Sequence, residues 1–242
     1  MLQFTVEAWG PFACFTPPYA KVERISLPVP TPSALRGLLA SIYGKPAEFY
    51  WTIDEIQVLN PIAYQKCRQN ELQCKIAKNP TPIAIEAPNV HTQRQTQMLT
   101  DVHYRITATM HPRFPGKDFE KRISTQMERR LRTGQCFCQP CFGMRECVAY
   151  FAHGDAHPDK KPIPITQDFG LMTYDTHIPE KNVPGDDLLD LSLFHCTMVN
   201  GVIRVPDYNS PEVLKLGRPA NMGLGKSYRG NKTNDNDTCA MA

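Results

Sequence analysis

Residues 29–46 read VPTPSALRGLLASIYGKP. Pro28, Pro30 and Pro32 hold the entry extended, because proline restrains both itself and the residue before it. From Ser33, the string SALRGLLASIY places Leu35, Leu38, Leu39 and Ile42 at helical spacing and predicts an amphipathic helix. Gly44 and Pro46 end it, the glycine just past the last turn and the proline beyond. Upstream, Leu2, Phe4, Val6 and Ala8 alternate and predict a half-buried strand that Gly10-Pro11 breaks. Downstream, residues 49–59 read as a strand that ends at Asn60-Pro61. Strand, helix, strand is the first half of a ferredoxin-like unit, so the expected fold class is α+β.

Further outward, residues 66–100 are polar, rich in Gln and Asn and broken by prolines at 80, 82 and 88, which predicts an excursion or long hairpin. Val102 to Met110 alternates again and predicts a strand. Residues 119–132 predict a basic amphipathic helix with Ile123, Met127 and Leu131 at i, i+4 and i+8, terminated by Gly134. Strands are predicted at 148–151, 171–175 and 194–199, and Asn200-Gly201 joins the last to 202–205 as a hairpin. The expected organisation is a domain over 1–150 with its polar excursion at about 66–100, a smaller β-rich region over 151–216, and a tail over 217–242 whose small, Asn-rich composition predicts disorder.

The chain has 242 residues, of which 41% are apolar and 21% charged, which argues against general disorder. Its 27 Lys and Arg against 24 Asp and Glu leave a net charge of +3, which excludes a strongly basic nucleic-acid coat. No apolar run approaches the roughly 18 to 20 residues that cross a bilayer. The N-terminus alternates like a strand and has no basic leader, so the expected address is cytoplasmic with no membrane partner. The charge is uneven. Between His91 and Arg145 lie ten basic residues and four acidic ones, and the predicted second helix carries five of the ten. Such an Arg-weighted patch suits phosphate, although a solvated helix face gives the same pattern. Nine cysteines, an odd number without an export signal, predict reduced thiols.

Cys136, Cys138, Cys141 and Cys147 fall within twelve residues and could ligate zinc, as in a small zinc-binding structural protein. Their spacing departs from paired CxxC knuckles, and incidental thiols are the alternative. GxSxG, Walker A and GxGxxG patterns are absent, and Asp186-Asp187 lies in a loop, which argues against an ATPase, a dehydrogenase or an ordinary hydrolase. Tyr43-Gly44-Lys45 closes the first helix, with Arg36 on that helix.

The stretches WGPFACFTPP (9–18), KVERISLPVPTPSALRGLLASIYGKP (21–46), VLNPI (58–62), DVHYRI (101–106), GQCFCQPCFGMREC (134–147), DFGLMTYD (168–175) and NGVIRVP (200–206) occur in this order. Together they resemble the fifth CRISPR-associated protein family in its subtype I-C form. The resemblance runs to about residue 210. It implies a RAMP-type, RRM-like ferredoxin-like N-terminal domain with a smaller β-rich C-terminal part. It implies a subunit that binds the 5′ handle of CRISPR RNA in a Cascade surveillance complex, beside a backbone subunit and a large subunit, and meets target DNA indirectly. It also implies cleavage of the repeat hairpin in precursor CRISPR RNA without metal or other cofactor. There the upstream 2′-hydroxyl attacks the phosphate and leaves a cyclic phosphate and a 5′-hydroxyl. A non-catalytic handle-binding scaffold is the alternative.

That chemistry needs a base, a proton source and cations around the phosphorane. The family tyrosine of IYWKP falls on Tyr43, as a base or as an orienter of the 2′-hydroxyl; the tryptophan position is Gly44 here. The family's Lys-His pair falls on Arg122 and Ile123 or on Lys117 and Asp118, depending on the end from which it is counted, and neither placement supplies the histidine. Lys121, Arg122 and Lys117 remain as cations for the phosphate, and His111 as the proton carrier. Handle contacts are expected from Arg24, Arg36, Lys45, Arg129, Arg130 and Arg145, with Tyr43 and Phe137 for base stacking.

Overall fold

The computed structural model describes residues 2–17, 20, 23–72, 91–181 and 190–217. Strand β1 (Leu2–Ala13) buries Phe4, Val6 and Ala8 on one face as the alternation predicts, but it runs through Gly10-Pro11 instead of breaking there. Its second neighbour covers only Val6–Trp9, so Pro11 lies where the strand is paired on one side, a position that tolerates a missing N–H. Gly10 is a packing residue: a Cβ there would stand 2.5 Å from the Val148 carbonyl oxygen.

After the short β2 (Arg24–Ile25) comes α1 (Pro32–Ile42), which begins one residue before the predicted Ser33. Thr31 caps it, its Oγ1 accepting the Ala34 N–H at 3.2 Å, and Pro32 takes the first turn, where no N–H is needed. Then follow β3 (Phe49–Val58), β4 (Ala63–Leu72), β5 (His91–Pro112), α2 (Lys117–Thr133), β6 (Tyr150–His153), β7 (Gln167–Asp175), β8 (Leu191–Val199), β9 (Val202–Arg204) and β10 (Val213–Gly217).

Among the described residues the fold is mixed α/β on one ten-stranded sheet. The main path runs β10-β8-β9-β3-β5-β1-β6, with β2 and β4 also on β5 and β7 on β8. Every pairing is antiparallel except β2 with β5. Leu35, Leu38, Leu39 and Ile42 of α1 and Ile123, Met127 and Leu131 of α2 are buried with Val6, Ala8, Trp51, Ile53, Ile106 and Met110 in one core.

The polar stretch from 66 to 100 is in part a long hairpin, β4 against β5 from Ala63↔Thr100 to Leu72↔His91; residues 73–90 lie outside the described residues. Met98 and Leu99 are buried, so this arm also reaches the core. The Asn200-Gly201 hairpin forms with φ of 50° and 77°, the positive pair that a two-residue I′ turn demands. It brings β9 onto β3 and joins the C-terminal strands to the N-terminal sheet. The expected disorder of the tail, Asp186-Asp187, Cys74 and Cys239 fall outside the described residues, except that Gly217 ends β10. Among the described residues no helix is long and apolar enough to cross a membrane.

Candidate functional site

The last carbonyls of a helix need donors from elsewhere. At the end of α1 they come from α2 and the loop behind it. Ser41 O accepts from Phe137 N at 2.9 Å and Cys138 N at 3.1 Å, and Ile42 O accepts from Phe137 N at 3.3 Å and from Arg130 Nη1. Gly134, at φ 69°, turns the chain out of α2 so that residues 135–138 can reach back. The negative end of α1 also favours the Arg130 cation there. The two helices thus meet at Tyr43, the C-cap of α1.

The Tyr43 ring packs 4.9 Å from Phe49, and the Arg130 guanidinium lies over it at 5.0 Å. Burial pushes the phenol up; Lys45, Arg130 and Arg122 pull the other way, and Glu48 adds to the rise. The net direction favours the protonated phenol, a hydrogen-bond donor. Next to it, Lys45 Nζ donates to Glu48 Oε1 at 2.8 Å, and Arg122 Nη2 lies 3.5 Å from Glu48 Oε2. Gly44 has no room for the family's tryptophan on this backbone, because a Cβ would stand 2.5 Å from Ala40 O.

Tyr43, Lys45, Arg122, Arg130 and Phe137 therefore share one end of the helix layer. Phe137 is 80% exposed while its backbone is pinned to α1, a geometry open to a stacked base. Lys117, Lys121, Arg129 and Arg145 are exposed. Lys121 stands one 100° step round α2 from Arg122, off the flank that faces Glu48. Arg36 is not available as a handle contact: its Nε and Nη2 each bond Asp175 at 2.8 Å, and the pair is largely buried. Arg24 shares Glu71 with Arg94.

His111 does not reach Tyr43. It pairs across the ladder with Tyr50, stacks on that ring at 4.7 Å and shares a 2.8 Å hydrogen bond with Thr52 Oγ1. Tyr50 and Thr52 alternate with buried Phe49 and Trp51, so His111 lies on the sheet face opposite Tyr43. Burial also holds its imidazole below the usual range.

The four thiols from Cys136 to Cys147 are spread from exposed Cys138 to buried Cys147 and form no convergent ligand set. Among the described residues, the group that does converge is Glu7, His103 and His157. Glu7 is fully buried. Its Oε1 takes Arg105 Nε at 3.0 Å and Nη2 at 2.6 Å, and its Oε2 takes His157 Nδ1 at 2.7 Å and His103 Nε2 at 3.3 Å. Lys160 Nζ lies 3.1 Å from His103 Nδ1. An ammonium only donates, so Nδ1 accepts and the ring proton sits on Nε2, facing Glu7. Arg105 and Lys160 already neutralise this network, and it reads as an ion-paired brace between β1, β5 and the 157–160 loop rather than a metal centre. Sequence patterns missed it because Glu7 lies 96 residues from His103 and 150 from His157 in the chain. They also missed Glu48, whose signal was its i, i+3 spacing from Lys45.

A family model described as CRISPR-associated protein (Cas_Cas5) matches residues 4–206. The CRISPR pre-crRNA endoribonuclease Cas5d of Mannheimia succiniciproducens is 38% identical over 225 residues, 85% of this chain and 95% of that protein. The CRISPR pre-crRNA endoribonuclease Cas5d of Thermus thermophilus is 34% identical over 231 residues, 89% of this chain and 96% of that protein. A crystal structure of a CRISPR-associated protein superposes with a TM-score of 0.60 at 24% identity, covering 88% of this chain and 96% of that one, a likeness of fold.

Proposed function

The chain belongs to the Cas5 family of CRISPR-associated proteins, and from that premise we propose that it cuts the repeat of precursor CRISPR RNA and keeps the 5′ handle as a subunit of a Cascade surveillance complex. The observation that carries this reading is the junction of the two helices. A protonated tyrosine lies under Arg130, with Lys45 and Arg122 alongside, where a phosphate can be held and its developing charge offset. Cleavage proceeds by attack of the upstream 2′-hydroxyl and needs no metal. Lys117, Lys121, Arg129 and Arg145 extend the cationic surface along the RNA path, and Phe137 stacks a base.

The strand order β3-β5-β1-β6 with α1 and α2 as crossovers supports a ferredoxin-like core in the domain expected over 1–150, running on to His153 with β6, and the run β7–β10 supports the smaller β-rich part expected over 151–216. The complex's backbone and large subunits are the protein partners, and target DNA is met through the complex. A handle-binding scaffold without cleavage is the second reading, favoured by His111 lying on the far face of the sheet.

Purified protein incubated with labelled cognate repeat RNA in EDTA, read on a denaturing gel beside a binding shift, separates the two. A single cut with a cyclic-phosphate end is the expected result. A shift without a cut establishes the scaffold.

A further inference from the structure

Among the described residues, four buried side-chain polar atoms lack a hydrogen-bond partner: Glu48 Oε2, Arg113 Nη2, Arg130 Nε and Asp190 Oδ1. Three of them surround the turn that leads from α1 into β3. Arg113 donates from Nε to Pro46 O at 2.7 Å and from its backbone N to Glu48 O at 2.8 Å. Arg130 holds Ile42 O and covers Tyr43. An unpartnered buried acceptor destabilises the fold and calls for a functional reason.

Glu48 is arranged asymmetrically. Its Oε1 is anchored by Lys45 Nζ at 2.8 Å. Its Oε2 is 3.5 Å from Arg122 Nη2, an ion-pair distance without a hydrogen bond, and has a free lone pair between two cations. Phe49, the residue after Glu48, packs 4.9 Å from the Tyr43 ring, so Glu48 and Tyr43 stand at the same junction.

We infer that Glu48 is the general base of the cleavage, its Oε2 accepting the proton of the 2′-hydroxyl that precedes the scissile phosphate. This rests on the cleavage reading above. As the 2′-O–H bond breaks, the oxygen forms its bond to phosphorus. The bond from phosphorus to the 5′-oxygen breaks with its electron pair on that oxygen, which takes the proton of the Tyr43 hydroxyl. The products are a 2′,3′-cyclic phosphate and a 5′-hydroxyl. The proton on Glu48 then returns through solvent to the Tyr43 phenolate and resets both groups. Lys45 and Arg122, on either side of the carboxylate, offset the charge of the phosphorane.

The test is single-turnover cleavage by the full-length protein in EDTA on two repeat RNAs, one ordinary and one with sulfur replacing the bridging 5′-oxygen. Sulfur departs without a proton, so this substrate rescues loss of the acid and not loss of the base. Glu48→Gln is expected to slow both substrates by about 100-fold or more, within the range of general-base catalysis, while RNA binding stays within a few-fold. Tyr43→Phe is expected to slow the ordinary substrate and to recover on the sulfur substrate. The fall in wild-type rate at low pH should disappear in Glu48→Gln and persist in Glu48→Asp. The assignment is overturned if Glu48→Gln cuts within about fivefold of wild type, well short of the general-base range, or recovers on the sulfur substrate. Should Glu48→Gln lose binding, the Glu48→Asp profile decides: a retained low-pH limb with a reduced rate supports the base, and an unchanged rate overturns it. A wild-type protein that cuts neither RNA overturns the cleavage reading and this assignment together.

Discussion

Arg36 of α1 grips Asp175 at the end of β7 through two parallel hydrogen bonds of 2.8 Å, 139 residues apart in the chain. Asp175 Oδ1 also accepts the backbone N–H of Thr176 at 2.7 Å and of His177 at 3.1 Å, so the carboxylate is fully engaged. The pair ties the first helix to the C-terminal strands.

Removing one member of a buried pair strands the other, at a cost of about 3–5 kcal/mol. Arg36→Ala is therefore expected to lower the urea midpoint strongly, and Arg36→Met combined with Asp175→Leu to lower it less. Handle affinity per folded molecule should not change. A large loss of affinity with an unmoved midpoint would return Arg36 to the list of RNA contacts.

Acid should weaken the fold in two stages through the brace around Glu7. Burial, with Lys160 adding to it, holds the His103 imidazole below its usual range. Below about pH 6.5 the unfolded chain therefore takes a proton that the folded chain refuses, and stability falls with falling pH. Burial alone would raise Glu7, but hydrogen bonds from Arg105, His157 and His103 hold it below the usual carboxylate range. Its contribution is present above about pH 4.5 and is lost as pH falls through the depressed value. Thermal melts from pH 8 down to pH 2 should show both stages, and His103→Gln should remove the first. A flat profile between pH 7 and pH 5 would refute the brace.

Thiol reactivity should follow burial along the cysteine run. Burial pushes Cys147 and Cys196 up to about 12 and raises Cys141 and Cys14. Cys138 is exposed. Since the thiolate is the nucleophile, iodoacetamide at pH 8 should label Cys138 first and spare Cys147 and Cys196 until urea is added. Mass spectrometry of the peptides reads this directly. Stoichiometric zinc with protection of all four thiols would instead reinstate the zinc reading.

The helix over 32–42 and the Asn200-Gly201 hairpin were legible because each is set by local chemistry: apolar residues at 3.6-residue spacing, and two residues that tolerate positive φ. β4 and the first half of β5 were legible only as an excursion or long hairpin, without strand bounds and without the burial of Met98 and Leu99, because an arm rich in Lys, Gln, Asn and Thr leaves no apolar period to read. Tyr43 was named from a motif, as were several cations around it. Which cations converge depends on where α2 docks, and that is set by Phe137 and Cys138 donating to Ser41, a relation between residues about 96 apart in the chain. The Glu7 network is a product of tertiary pairing in the same way, which no local pattern encodes, whereas Glu48 carried only the weak local signal of its spacing from Lys45.

The cations of α2 should separate by the flank they occupy. Arg130 bonds the end of α1 and covers Tyr43. Lysine in its place keeps the charge but loses the planar fork that serves both contacts at once. Arg130→Lys is thus expected to slow cleavage by about 10- to 100-fold, toward the lower range for one lost electrostatic donor, with a modest fall in melting temperature. Arg122→Ala, which opens the side of Glu48, should also slow the cut. Lys121→Ala, one step round the helix, should weaken RNA binding and its salt dependence and leave the single-turnover rate at saturating protein nearly unchanged. Rates measured at saturation beside binding isotherms at two salt concentrations distinguish these effects. A Lys121→Ala rate that falls as far as that of Arg130→Lys would mean that the phosphate lies on the opposite flank of α2 from Glu48.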